Sequence, residues 1–321
     1  MTIFVNLVIF FASAAVLWFF AGSLVSAVDR LAKHLHKSGF SVAFLVLGLL
    51  TSISEFSVAT NSILAGAPEV SVGNLIGATF VIMFLIIPIF AIAGNGIRLA
   101  HAISQRNLLF ALAAIMLPAL LVMDGNVTAT EGLLSILVYA ALFYAIRRQH
   151  TTLVTAAPEP EQRGVSTLFR DIGRIVVGAI GIFLATHFLV EESVYFANLL
   201  TIPASLIGLL ILSIGTNLPE LVIAVRSIAG KRMDIAFGDY LGSASMNLVI
   251  FGFVAIASGT FFLEASEFFL TTSLMLVGVP LFYLFARSEH KLSRMEGGVL
   301  LLFYVVFLVI QLANLVRFAT T

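Results

Sequence analysis

The chain has 321 residues, 60% hydrophobic and 11% charged, where an average soluble domain is about 25% charged. Lys+Arg and Asp+Glu balance at 17 each, mean hydropathy is +1.10, and cysteine is absent. These values exclude a soluble enzyme, a disordered chain and a nucleic-acid-binding protein, since no run of basic residues offers a phosphate-binding face. They also remove disulfides, thiolate metal sites and Cys nucleophiles.

A bilayer-spanning helix needs about 20 mostly apolar residues. Ten stretches qualify: 3–28, 39–65, 70–97, 107–123, 127–147, 171–190, 199–226, 234–261, 265–286 and 296–317. The first lacks a basic n-region and is too long for a signal-peptide h-region, so it reads as a retained span with Trp18 inside it. The longest polar interval, 148–170, carries two prolines and alternating charge between Ala157 and Gly164 and reads as a linker. Five spans precede it and five follow. The predicted organisation is one all-α polytopic membrane domain, with a first five-helix half at 1–147 and a second at 171–321.

Charge supports the count. With ten spans, 16 of the 17 basic residues fall on one side, Arg317 being the exception, while Glu69, Asp124, Glu131, Glu191, Glu192, Glu264 and Glu267 fall on the other. The positive-inside rule makes the basic side cytoplasmic. Both termini then lie outside and the 148–170 linker inside. Short loops suit a prokaryotic inner membrane.

The halves repeat. Shifted by 165 residues, 44–82 aligns with 209–247 without a gap, and nine of the 39 pairs are identical. The matches include Thr51/Thr216, Glu55/Glu220, Gly73/Gly238 and Gly77/Gly242. An odd number of spans per half makes the second half enter the membrane in the opposite sense. Ten transmembrane helices as two inverted five-helix repeats are thus expected, an architecture that places substrate sites at the midplane, often on broken helices.

Glu55 and Glu220 sit near the middle of long apolar stretches, where a charge costs roughly 3 kcal/mol on insertion scales. A carboxylate there is either a protonated or paired packing element or a functional group, and its recurrence at matching repeat positions favours function. Two carboxylates facing each other suit a hard cation such as Ca²⁺, Na⁺ or H⁺. Thr51 and Ser52 precede Glu55 by four and three residues on one helix face, as Thr216 and Asn217 precede Glu220. Those hydroxyls either back-bond to their own helix or line the site. Pro219 frees a carbonyl, and Gly215 in the same turn suggests unwinding.

The following helices open with Gly73-Asn-Leu-Ile-Gly77 and Gly238-Asp-Tyr-Leu-Gly242, glycine spacing that permits close helix packing. Ser243 and Asn247 are four apart and can face the site, whereas the first repeat has Ala78 and Ile82 there. Asp239 reads as a mouth residue, a helix cap or a ligand. His187 reads as an interfacial side chain, with a proton-linked role as the rival.

Thr51-Ser-Ile-Ser-Glu55 and Gly215-Thr-Asn-Leu-Pro-Glu220 resemble the α-repeat motif G-[TS]-[SN]-x-P-E of the sodium/calcium exchanger (cation/Ca²⁺ antiporter) superfamily, prokaryotic type. Gly73–Gly77 and Gly238–Ser243 resemble its second signature, G-[ND]-x-x-G-[SA]. The resemblance implies that Glu55 and Glu220 are central cation ligands. It implies oxygens from Thr51, Ser52, Thr216 and Asn217, flanking ligands at Ser213 and Ser243, and Asn247 where many members carry an acidic or amide residue. It further implies a monomeric functional unit with no bound cofactor, whose substrates are Ca²⁺ and Na⁺ or H⁺, with spans 1 and 6 as the sliding elements. The first repeat departs from the motif at Leu50, Ser54, Ala78 and Ile82. Asn247 leaves two carboxylates rather than three in the expected site. A Ca²⁺ antiporter, a proton-coupled exchanger of another cation and a non-transporting paralogue are the competing readings; an enzyme is not expected.

Overall fold

The computed structural model describes residues 2–34, 39–64, 66–98, 103–149, 169–181, 184–185, 187–188, 209, 212–230, 232–288 and 291–320. The described residues are helical apart from turns and four two-residue strands. Helix α1 runs Thr2–His34, α2 Gly39–Leu64 and α3 Pro68–Ala93. Helix α4 runs Gln105–Leu121, α5 Ala129–Gln149 and α6 is described over 169–181. Helix α7 comes in two pieces, Ser213–Thr216 and Leu218–Ala229; α8 is Met233–Ser258, α9 Ala265–Arg287 and α10 Arg294–Thr320.

Among the described residues, seven helices are long and apolar enough to cross a membrane: α2, α3, α4, α5, α8, α9 and α10. The first expected span falls on the 33-residue α1. The 148–170 linker lies largely outside the described residues, as do Glu191 and Glu192, and the spans expected at 171–190 and 199–226 are described in part.

Local chemistry corrects several boundaries. Helix α3 starts two residues earlier than expected because Pro68 is pre-organised for a first helical turn. It stops at Ala93, where Asn95 (φ 58°) and Gly96 (φ 90°) turn the chain. Helix α8 stops at Ser258, before Gly259 at φ 69°. Capping boxes start α5 and α10: Thr128 and Glu131 exchange backbone and side-chain hydrogen bonds (2.8 and 3.3 Å), as do Ser293 and Glu296 (2.7 and 3.3 Å). The two boxes lie 165 residues apart, so the offset seen in the sequence is repeated in helix initiation.

Helices α3 and α8 form the centre. Their most apolar windows are 83% and 67% buried, against 22% for α5 and 28% for α10. Helix α8 packs on α2, α3, α5 and α7, and α10 packs on α3. Large apolar side chains such as Phe11 (67% exposed), Leu137 (58%) and Leu302 (59%) face outward. A water-soluble domain could not tolerate so much exposed apolar surface, but lipid solvates it.

Two small antiparallel pairs bind the halves. Strand β1 (Ile97–Arg98) pairs with β4 (Lys291–Leu292), and β2 (Asn126–Val127) pairs with β3 (Phe261–Phe262). Because β1 precedes α4 and β2 follows it, the pairs sit at opposite ends of that helix.

Candidate ion-binding site

Helices α2 and α7 break at equivalent points. In α2 a π-helical turn at Ala43–Leu47 leads into Gly48–Thr51, and the helix is interrupted at Ser52 (φ −71°, ψ 2°). In α7, Leu209 and Leu212 are π-helical and the break falls at Asn217 (φ −91°, ψ 8°). Ser52 and Asn217 are 165 residues apart. Unwinding therefore sits at Asn217 rather than at Gly215, which stays helical; Pro219 accounts for this, since it fits the first turn of a new helix.

Glycines bring the broken helices against α3 and α8. A Cβ on Gly242 would lie 2.5 Å from the Phe44 carbonyl oxygen, and one on Gly48 would lie 2.6 Å from the Gly242 carbonyl carbon. The equivalent contacts 165 residues away are Gly77 against the Leu209 carbonyl oxygen (2.5 Å) and against Ser213. Only hydrogen side chains permit backbones this close. The packing role of these glycines holds, and it also sets the site.

The crossing carries side-chain hydrogen bonds with the same symmetry. Thr51 Oγ1 donates to Asp239 Oδ1 (3.2 Å), and Thr216 Oγ1 donates to Asn74 Oδ1 (3.5 Å). Glu220 Oε1 accepts from Ser243 Oγ (2.8 Å), which lies 3.2 Å from Ser52 Oγ. The residue equivalent to Ser243 is Ala78, which has nothing to donate to Glu55. Ser54 donates instead: its hydroxyl lies 2.9 Å from Glu55 Oε2, 3.0 Å from the Thr51 carbonyl and 3.3 Å from the Thr216 carbonyl. Ser54 looked like a mere departure from a motif proline, and no sequence signal marked it as a partner.

The expected back-bonding is real and does not compete with a site. Thr51 shares its one proton between the Leu47 carbonyl (3.2 Å) and Asp239 Oδ1, while Ser52 bonds the Gly48 carbonyl (2.7 Å), Ser213 the Leu209 carbonyl (2.5 Å), and Asn217 Nδ2 the Ser213 carbonyl (2.6 Å). Each bond uses a proton and leaves oxygen lone pairs available. Asn247 faces α3: its Nδ2 donates to Thr79 Oγ1 (3.1 Å) and to the Leu75 carbonyl (3.4 Å).

All nine sequence-predicted site residues are buried, and Glu55, Glu220 and Asp239 are 0% exposed. Asp239 is therefore neither a mouth residue nor a cap. Glu55 and Glu220 are near enough for their charges to interact, as are Glu220 and Asp239. Among these site residues and Asp239, five buried oxygens accept no hydrogen bond: Glu55 Oε1, Glu220 Oε2, Asp239 Oδ2, Asn217 Oδ1 and Asn247 Oδ1. Among the described residues no Lys, Arg or His is buried, and no three His, Cys, Asp or Glu side chains converge as a metal cluster. A cation here would thus draw on hydroxyl, amide and carbonyl oxygens besides the carboxylates.

The family described as "Sodium/calcium exchanger protein" matches residues 5–147 and 171–313, nearly the whole of both halves. The chain belongs to the sodium/calcium exchanger family. The Sodium/calcium exchanger MaX1 of Methanosarcina acetivorans is 35% identical over 144 residues, covering 44% of this chain and 40% of that protein. Membrane protein MJ0091 of Methanocaldococcus jannaschii is 24% identical over 289 residues, 90% of each chain. Among solved structures, the sodium-calcium exchanger NCX_Mj soaked with 2.5 mM Na⁺ and 10 mM Sr²⁺ superposes with a TM-score of 0.78 at 21% identity, covering 96% of this chain and 99% of that one. The fold of this exchanger-family chain is therefore that of NCX_Mj.

Proposed function

We propose that the chain is a secondary active cation antiporter that exchanges Ca²⁺ for Na⁺ or H⁺ by alternating access. The observation that carries this reading is the charge imbalance at the centre: three buried carboxylates, five oxygens without donors, and no buried basic side chain among the described residues. Buried carboxylates must be neutralised by a proton, a basic side chain or a bound cation. Hard oxygen donors in irregular, partly backbone geometry suit Ca²⁺ and Na⁺.

In this reading Glu55 and Glu220 bind Ca²⁺ and the counter-ion alternately. Thr51, Ser52, Thr216, Asn217, Ser213 and Ser243 supply further oxygens, and Asn247 contributes Oδ1. Ten spans in two inverted halves, outside termini and a cytoplasmic linker complete the proposed topology, in a prokaryotic plasma membrane. The symmetric contacts of α2 with α8 and α7 with α3 support the inverted halves.

The experiment is ⁴⁵Ca²⁺ uptake into proteoliposomes under imposed Na⁺ or H⁺ gradients. Uptake driven by one gradient and lost in both Glu55→Gln and Glu220→Gln identifies the coupling ion and the site. Normal exchange in either variant refutes the assignment. Absence of Ca²⁺ uptake in the wild-type protein redirects the screen to other cations, which the neutral Ala78, Ile82 and Asn247 would then have selected.

A further inference from the structure

Ser227 Oγ and Tyr240 OH are buried, belong to no ligand set above, and have no hydrogen-bond partner among the described residues. Both lead away from Glu220 in one direction. Ser227 follows Glu220 by seven residues on α7, about two turns, and so shares its face. Tyr240 lies three residues before Ser243, whose hydroxyl is on Glu220 Oε1, and shares that face of α8. Both hydroxyls therefore stand between the carboxylate and the turn that joins α7 to α8. Tyr240 leans toward that turn. Its ring meets the buried Phe90 edge to face, with centroids 5.5 Å apart and planes at 88°. Phe90 sits one turn before Gly94, where an added Cβ would lie 2.5 Å from Cε of Met233, the first residue of α8.

The opposite end is built differently. Ser62 follows Glu55 by seven residues, as Ser227 follows Glu220. The positions equivalent to Tyr240 and Phe90, 165 residues away, are Leu75 and Ala255, so the aromatic pair has a smaller aliphatic counterpart. A buried hydroxyl without a partner is costly unless something fills it in another state. Beside a cation site, the filler with matching chemistry is a cation and its water. Resting on the antiport reading, we propose that Glu220, Ser227 and Tyr240 line the ion path to the α7–α8 turn, and that the Tyr240–Phe90 ring pair is its gate. The path opens when Tyr240 leaves Phe90, and the two hydroxyls then replace part of the passing cation's water shell. In the proposed topology this is the cytoplasmic gate.

The chain has no cysteine, so Ser227→Cys supplies a single thiol. The probe is trimethylammonioethyl methanethiosulfonate, a membrane-impermeant cation, applied to inside-out and right-side-out vesicles holding the full chain. The thiol should label from the α7–α8 turn side. A gate open about a tenth of the time or less slows that labelling, so Tyr240→Leu, which copies Leu75, should speed it about tenfold or more. Phe90→Leu should do the same, while Tyr240→Phe, which keeps the ring, should stay within about twofold. Ser62→Cys should label from the opposite side, at a rate that Tyr240→Leu does not raise. The thermal midpoint identifies the folded variants. An unchanged rate in folded Tyr240→Leu or Phe90→Leu, or labelling of both cysteines from one side, would overturn the proposal. Gated labelling in a chain that takes up no Ca²⁺ supports the gate and counts against Ca²⁺ antiport; Ca²⁺ uptake with ungated labelling overturns the gate alone.

Discussion

Replacing Ser54 by Ala tests the compensation across the two repeats. The substitution removes the hydroxyl proton 2.9 Å from Glu55 Oε2. Glu55 Oε1 already lacks a donor, so the loss falls on a carboxylate with one oxygen unpartnered. A hydrogen bond to a charged group contributes about 1.5–3 kcal/mol. Ser54, however, has one proton and three acceptors within 3.3 Å, so Glu55 receives it only part of the time. The low end of that range corresponds to about a tenfold weaker apparent Ca²⁺ affinity. Ser243 spends its proton on Glu220 Oε1 at 2.8 Å, while the nearby Ser52 proton goes to the Gly48 carbonyl at 2.7 Å. Ser243→Ala should therefore cost more, toward about 30-fold, for about 2 kcal/mol. The assay is the Ca²⁺ dependence of ⁴⁵Ca²⁺ flux for both variants, alongside thermal unfolding to confirm an intact fold. Wild-type affinity in a folded Ser54→Ala protein, or a larger loss there than in Ser243→Ala, would refute the reasoning.

Gly242→Ala places a methyl 2.5 Å from the Phe44 carbonyl oxygen and should destabilise the chain by about 1–3 kcal/mol in detergent unfolding, whereas Gly298→Ala, with nothing within 4 Å, should be neutral or stabilising. Asp239→Asn should leave the thermal midpoint nearly unchanged, because Asn74 fills the equivalent position in the first repeat, yet weaken Ca²⁺ binding measured by calorimetry; unchanged binding would remove Asp239 from the site. Arg30 Nε bonds the buried Asp171 Oδ1 at 2.7 Å, tying α1 to α6. A double-mutant cycle on Arg30→Gln and Asp171→Asn should show coupling of about 1.5–3 kcal/mol, and zero coupling would mean the two helices are held by packing alone.

The membrane architecture was legible because lipid imposes one dominant rule: long apolar runs must be helices. Glu55 and Glu220 stood out for the same reason, as charges where charge is expensive. The nine matched residues revealed the offset, and the structure repeats it in breaks, glycine contacts and capping boxes. What escaped depended on contacts between distant segments. Ser54 is one residue from Glu55, a spacing that does not put two side chains on one helix face, yet its hydroxyl lies 2.9 Å from Glu55 Oε2. Asp239 sits near the start of α8, which suggested a mouth position, but α2 crosses there and buries it. The two-residue strands are too short for any periodicity to announce.

The paired strands have a consequence for how the protein is made. Strand β1 leaves the ribosome long before β4, and β2 long before β3, so neither loop of the first half can be tied down until the second half arrives. Until then α2 presents Gly48, Thr51 and Ser54 to a partner not yet synthesised, since Gly242, Asp239 and Thr216 all belong to later helices. The early membrane intermediate therefore carries a bare polar seam in a hydrocarbon environment. That seam is covered only when the second half packs against it.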